Sequence, residues 1–116
     1  MSDFYHSKAW ERARVLALKR HNYMCVMSKR YGKNVPARAV HHALPAKEYP
    51  QYRLEQWNLI PVCDKWHNKL EDRSNGTLTA EGEALARRVA IKNGVEYGNN
   101  KKDTGNKDGG QSGAER

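Results

Sequence analysis

The chain has 116 residues and a mass of 13.3 kDa, enough for one small domain, and a domain of this size buries only about 60–65% of the surface its unfolded chain exposes. Lysine and arginine number 21 against 13 aspartates and glutamates, giving a formal charge of +8 and a pI near 9.7, a balance that favours a polyanionic partner, nucleic acid before an acidic membrane. A mean hydropathy of -0.98, with no apolar run near the ~20 residues of a membrane span, excludes a membrane protein, and two cysteines exclude both a disulfide-stapled scaffold and a four-thiolate zinc site.

The opening MSDFYHSKAW lacks a charged-then-apolar signal pattern, so the expected location is the cytoplasm. Ser7 can cap a helix over 8–21 with Trp10, Ala13, Leu16 and Ala17 facing inward. Tyr31-Gly32-Lys33-Asn34 reads as a turn before a short strand, 37–42, that Pro45 closes. A loop follows over 46–56, then a second strand, 59–62, whose Pro61 suggests an edge position. Asp64 can cap a helix over 65–73, stopped by Ser74-Asn75-Gly76. Thr79 caps a last helix to about residue 93, with Gly94 as its stop and Leu85 and Val89 as its apolar stripe. From 98 to 116 the chain has five glycines and no apolar residue larger than alanine, too little to offset the entropy of ordering. The expected division is a domain over 1–95, with its centre at about 36–73, and a disordered polar tail over 96–116.

Three of the five histidines, His41, His42 and His67, fall in the central strand–loop–strand–helix block, with Asn58 at the mouth of the second strand. Fifteen residues separate His42 from Asn58, and eight separate Asn58 from His67. Imidazoles from a strand end and a facing short helix can converge on one metal ion, and a neighbouring histidine left unligated can act as a base near neutral pH. Strand alternation points consecutive residues to opposite faces, so His41 and His42 serve one site only where the strand ends or bulges. His6 and His21 read as surface or satisfied histidines. Trp10, Trp57 and Trp66 read as core, with base stacking the alternative.

The stretch Ala39-Val40-His41-His42-Ala43-Leu44-Pro45, followed by Trp57-Asn58-Leu59-Ile60-Pro61-Val62-Cys63-Asp64-Lys65-Trp66-His67-Asn68-Lys69, resembles the HNH endonucleases with their ββα-metal finger. Phe4-Tyr5-His6-Ser7-Lys8-Ala9-Trp10 is similar to the leader of small stand-alone, phage-type members, and the resemblance covers roughly residues 4–73. It implies an α+β fold: a two-stranded antiparallel hairpin plus a helix, flanked by an N-terminal and a C-terminal helix. It also implies roles. His41 and His67 become ligands of one divalent ion (Mg, Mn, Ni or Zn), His42 the general base, and Asn58 the asparagine that ties the loop and orients His42. Glu71, four residues after His67, falls on the same helix face and is a candidate third ligand. Lys65 and Lys69, with Arg73, line the helix beside His67; the expectation is phosphate contact, and a solvated face is the bland reading.

Many relatives carry two Cys-x-x-Cys pairs that bind a structural zinc. Here the pairs read Cys25-Val26-Met27-Ser28 and Cys63-Asp64-Lys65-Trp66. Two thiolates do not complete a tetrahedral site, so no structural zinc is expected, and apolar packing around Trp66, Met24 and Tyr23 is expected in its place. The implied activity is hydrolysis of DNA phosphodiester bonds, by nicking or double-strand cutting with little sequence preference, beside a phage DNA-packaging terminase. The competing expectation is a non-catalytic nucleic-acid-binding module on a degenerate finger. A membrane-surface role fails because no helix joins a basic face to a broad apolar one.

Overall fold

The computed structural model describes residues 2–72 and 74–98. A short helix α1, Ser2–Tyr5, leads into α2, Lys8–Arg20, which starts where Ser7 accepts a hydrogen bond from the Trp10 amide at 3.1 Å. Trp10 and Ala17 are buried on its inner face. Leu16, expected to face inward, is 48% exposed; at about 100° per residue it lies about 120° round the axis from Trp10, beyond the buried stripe. The chain turns at Asn22 and Tyr23, with φ of 56° and 60°, into a helix the sequence reading did not contain, α3, Val26–Arg30. The Cys25 thiol caps it, accepting from the Ser28 amide at 3.4 Å.

Strand β1, Ala39–His42, starts two residues later than the expected 37–42. It pairs antiparallel with β2, Leu59–Val62, placing Val40 opposite Pro61 and His41 opposite Ile60. Both strands of a two-stranded sheet are edges, which accommodates Pro61. Between them the loop holds two single 3-10 turns, Pro50–Tyr52 and Gln56–Asn58.

Helix α4, Asp64–Leu70, has Cys63 rather than Asp64 at its cap position, so Asp64 sits in the first turn, where a carboxylate complements the helix dipole. The helix ends at Leu70 and not at 73. Glu71–Asp72 instead goes extended as β3 and pairs with β4, Thr77–Leu78. The Ser74-Asn75-Gly76 stop signal is in fact a hairpin turn: Asp72 Oδ1 accepts from the Ser74 amide and hydroxyl (3.1 and 2.6 Å), Asn75 Oδ1 from the Thr77 amide and hydroxyl (3.2 and 2.7 Å), and Gly76 takes φ 73°. Arg73 lies outside the described residues. Helix α5, Ala80–Asn93, is capped by the Thr79 hydroxyl and ends on Gly94 at φ 68°. The Thr79 hydroxyl also donates to the Lys69 carbonyl, and its amide donates to Leu70 O at 3.0 Å, locking the start of α5 onto the end of α4.

Strand alternation divides the packing. Val40 and Leu59 face α2 and join Trp10, Ala13 and Ala17, while Ile60 and Val62 face the other way and join Leu44, Leu70 and Leu85. Leu44, Leu59 and Leu70 are fully buried, each worth about 1.5–3 kcal/mol of transfer free energy. The result is the α+β arrangement expected: an antiparallel hairpin and a short helix between an N-terminal and a C-terminal helix. Among the described residues no helix is long and apolar enough to cross a membrane. Of the expected tail, only residues 96–98 are described.

Candidate metal centre

The face of β1 that points toward α4 carries His41, and α4 returns His67 to it. His67 lies on the helix, whereas Glu71 takes extended backbone, φ -129° and ψ 140°, immediately after it. The ligand atoms of His41, His67 and Glu71 all lie within 4.8 Å of one another. Glu71 Oε2 is 3.0 Å from His41 Nδ1 and 3.5 Å from His67 Nε2, and the two rings meet edge to face with centroids 5.7 Å apart. Hydrogen bonds from His41 and His67 hold the Glu71 carboxyl far below its ordinary range. His41 is 1% exposed, its Nδ1 is the atom that meets Glu71, and its Nε2 is a buried polar atom without a hydrogen-bond partner among the described residues. Two imidazoles and a carboxylate suit a divalent transition ion, so the residues fit the expected group, with Glu71 in the third-ligand position.

His42 is the last residue of β1 and points the opposite way, toward α2. Its ring stacks on Trp10 with centroids 5.0 Å apart, and Phe4 and Tyr5 of α1 each lie 6.3 Å from it. Nε2 is 2.9 Å from the Arg53 carbonyl oxygen. A carbonyl only accepts, so Nε2 carries the hydrogen and Nδ1 keeps the lone pair of the neutral ring. Burial is the largest influence on His42 and pushes its pKa below the ordinary imidazole value; the Arg53 carbonyl partly opposes this, and the charges of His41 and Glu71 reach the ring with opposite signs. His42 is therefore neutral at pH 7. The strand does not bulge at the pair: alternation puts the two rings on opposite faces of the hairpin, and only the charges of His41 and Glu71 reach His42 across it.

Asn58 is fully buried. Its Oδ1 accepts from the Leu44 amide at 2.7 Å, and its Nδ2 donates to the Leu44 and Tyr52 carbonyls at 3.0 and 3.2 Å. Leu44 stands two residues after His42 and Tyr52 one before Arg53, so this amide clamps both ends of the loop that supplies the carbonyl holding His42. Its side chain faces the loop interior. The Arg53 contact was invisible in the sequence because a main-chain oxygen has no residue signature.

Lys65 and Lys69 are exposed. Each is two residues from His67, about 160° round a helix, and together with Trp66 they line a separate cavity. On the same side, Cys25 and Cys63 are free and buried, with Ser28 Oγ 3.8 Å from Cys63 Sγ. Burial raises the Cys25 thiol, but hydrogen bonds with Ser28 and Cys63 outweigh it and hold the pKa below the ordinary value. Trp66 packs against the core cluster and Met24 is half-buried, but Tyr23, expected beside them, is 51% exposed, on the left-handed turn at 22–23. Tyr31 stacks on Trp66 instead, with centroids 5.7 Å apart and planes 7° from parallel. His6 is exposed and His21 half-buried, and neither joins the metal group.

An antiparallel hairpin and a following helix that bring two histidines and a carboxylate together define a ββα-metal finger. No protein-family model and no curated protein matches the chain. Among solved structures, the crystal structure of the HNH endonuclease of the deep-sea thermophilic bacteriophage GVE2 with manganese ion is similar to it: the identity is 32%, the match covers 64% of this chain and 78% of that one, and the TM-score is 0.59. The chain belongs to the HNH endonuclease family.

Proposed function

We propose that the protein is a divalent-metal-dependent endonuclease that hydrolyses DNA phosphodiester bonds with little sequence preference. The observation that carries this reading is the convergence of His41, His67 and Glu71 within 4.8 Å; the next residue of the same strand, His42, is a buried neutral histidine that keeps one nitrogen for a proton. The manganese-bearing phage nuclease with 32% identity supports it. A charge of +8 supplies sequence-independent attraction to the phosphate backbone.

In the proposed reaction His42 Nδ1 takes a proton from the attacking water, while the Arg53 carbonyl holds Nε2–H and so fixes which nitrogen is basic. A base so placed contributes about 10²–10⁴-fold. Trp10 supports the ring from behind, and Asn58 holds the loop that carries the Arg53 carbonyl. A divalent ion held by His41, His67 and Glu71 would supply Lewis acidity toward a phosphate oxygen and stabilise charge on the leaving oxygen. The phage-type leader over residues 4–10, together with the phage origin of the similar structure, supports a role beside DNA-packaging machinery in a host cytoplasm, with a terminase subunit as partner.

Incubating supercoiled plasmid with the protein and manganese, magnesium, nickel or zinc tests the central claim. Conversion to open-circular or linear DNA with a metal, and none in chelator, is the expected result. Plasmid that is bound but never cut under any of the metals would sink the enzyme reading and leave a binding module on the same scaffold.

A further inference from the structure

The far side of α4 carries a second surface that the cleavage chemistry does not use. Between α3 and α4 lies a cavity of about 760 Å³ lined by Tyr31, Trp66, Lys33, Arg38, Lys65 and Lys69 among others. Tyr31 and Trp66 form one wall, their rings 7° from parallel. Lys69 Nζ lies 5.4 Å from the Trp66 ring centroid on its face, within cation–π range. Tyr31 is 68% exposed, so the stacked pair has an open ring. Two carboxylates, Asp64 and Glu81, also line the cavity against the four cations, leaving a surplus of two positive charges. Trp66 occupies the last position of the second Cys-x-x-Cys frame, so the residue that removes a zinc ligand also supplies half of the aromatic wall.

We propose that this cavity is a binding site for single-stranded DNA: an unpaired base stacks on Tyr31, and the flanking phosphates are held by Lys33, Arg38, Lys65 and Lys69. An aromatic platform beside clustered cations is what an unpaired strand requires. A duplex hides its ring faces and needs only the charges, whereas a single strand exposes a π-face at every base. An acidic protein segment would use the cations but not the open tyrosine ring. Lys65 and Lys69 lie about 160° round α4 from His67, and the helix with its side chains is about 10–12 Å across. A strand held here therefore lies on the opposite side of α4 from the metal centre, about one helix diameter away. The site thus suits DNA with an unpaired segment next to the cutting position.

The inference does not rest on cleavage, because its test is a binding measurement in chelator with the full chain. Fluorescence anisotropy is read with a labelled single strand of about 12 nucleotides, within the span such grooves cover, and with the same sequence as a blunt duplex. Tyr31→Ala is expected to weaken single-strand binding roughly tenfold or more, the effect of losing one base–aromatic stack, while duplex binding changes less than about twofold; Tyr31→Phe keeps the parent affinity. Lys33→Glu combined with Arg38→Glu is expected to weaken the same binding and flatten its salt dependence. Parent-like single-strand affinity in Tyr31→Ala would overturn the proposal, as would equal loss on both DNAs. Displacement of the strand by a free nucleoside monophosphate at micromolar concentration would assign the cavity to a small ligand instead, and polyglutamate binding that needs Lys33 and Arg38 but not Tyr31 would assign it to an acidic protein. Either result would overturn the proposal while leaving the plasmid-nicking result untouched.

Discussion

His41 and His42 are neighbours in one strand with the same side chain, yet they sit in opposite surroundings. His41 faces α4 and shares a carboxylate with His67. His42 faces α2, stacks on an indole and touches a main-chain oxygen. The pleat alone makes this division: one residue of register turns a ring from the α4 side of the hairpin to the α2 side. In the proposed reaction, two histidines side by side thus give one metal ligand and one unligated base from the same strand end.

Breaking each ring separately gives the largest effects. His42→Ala is expected to lower the cleavage rate by about 10²–10⁴-fold while leaving manganese affinity, read by calorimetry, at the parent value; His67→Ala should lose both. If His42→Ala cuts as fast as the parent, the base is misassigned. A pH profile sharpens the contrast without mutation. In the proposed reaction the neutral form of His42 is the active one, and burial depresses its pKa below 6.5. The rate should therefore be flat above that value and fall about tenfold per pH unit below a midpoint that lies under 6.5. A midpoint above 6.5 would contradict the buried, apolar setting.

Asn58→Ala tests whether His42 depends on its loop. The change strands the buried Leu44 amide and the Leu44 and Tyr52 carbonyls, at about 1–3 kcal/mol for such a group. Urea denaturation should read that loss, and kcat should fall with KM held, since no substrate contact is removed. The smallest effect is expected on the His41 side. Gly82 packs so closely on α4 that an added Cβ would lie 2.1 Å from the Leu70 carbonyl oxygen. Alanine gains about 1 kcal/mol in helix propensity over glycine, but the overlap with rigid backbone costs about 1–3 kcal/mol. Gly82→Ala should therefore be destabilised in the same urea assay and bind manganese more weakly, because α5 pushes against the end of the helix that carries His67.

The finger was legible because its signals are local. His41, His42, Asn58 and His67 stand at fixed spacings, and Ser7, Thr79 and Gly94 mark helix ends by chemistry that needs no tertiary contact. The misses arose where one signal serves two structures. Ser74-Asn75-Gly76 stops a helix or turns a hairpin, and only pairing of 71–72 with 77–78 decides between them. Glu71 illustrates the consequence: its spacing from His67 suggested a shared helix face, yet it reaches the site from a strand. Helix α3 has a thiol for a cap, which propensity rules rank low, and the Tyr31–Trp66 pair joins residues 35 positions apart, beyond any local pattern.

The tautomer of His42 is set by the main chain of residue 53, and a peptide oxygen is present whatever side chain stands there. Exchanges at position 53 therefore leave the polarity of the imidazole intact, and its genetic vulnerability moves to a residue five places further on, whose amide keeps that peptide in reach. A screen for inactive variants should accordingly recover changes at 58 far more often than at 53, although 53 is the position in contact with the ring.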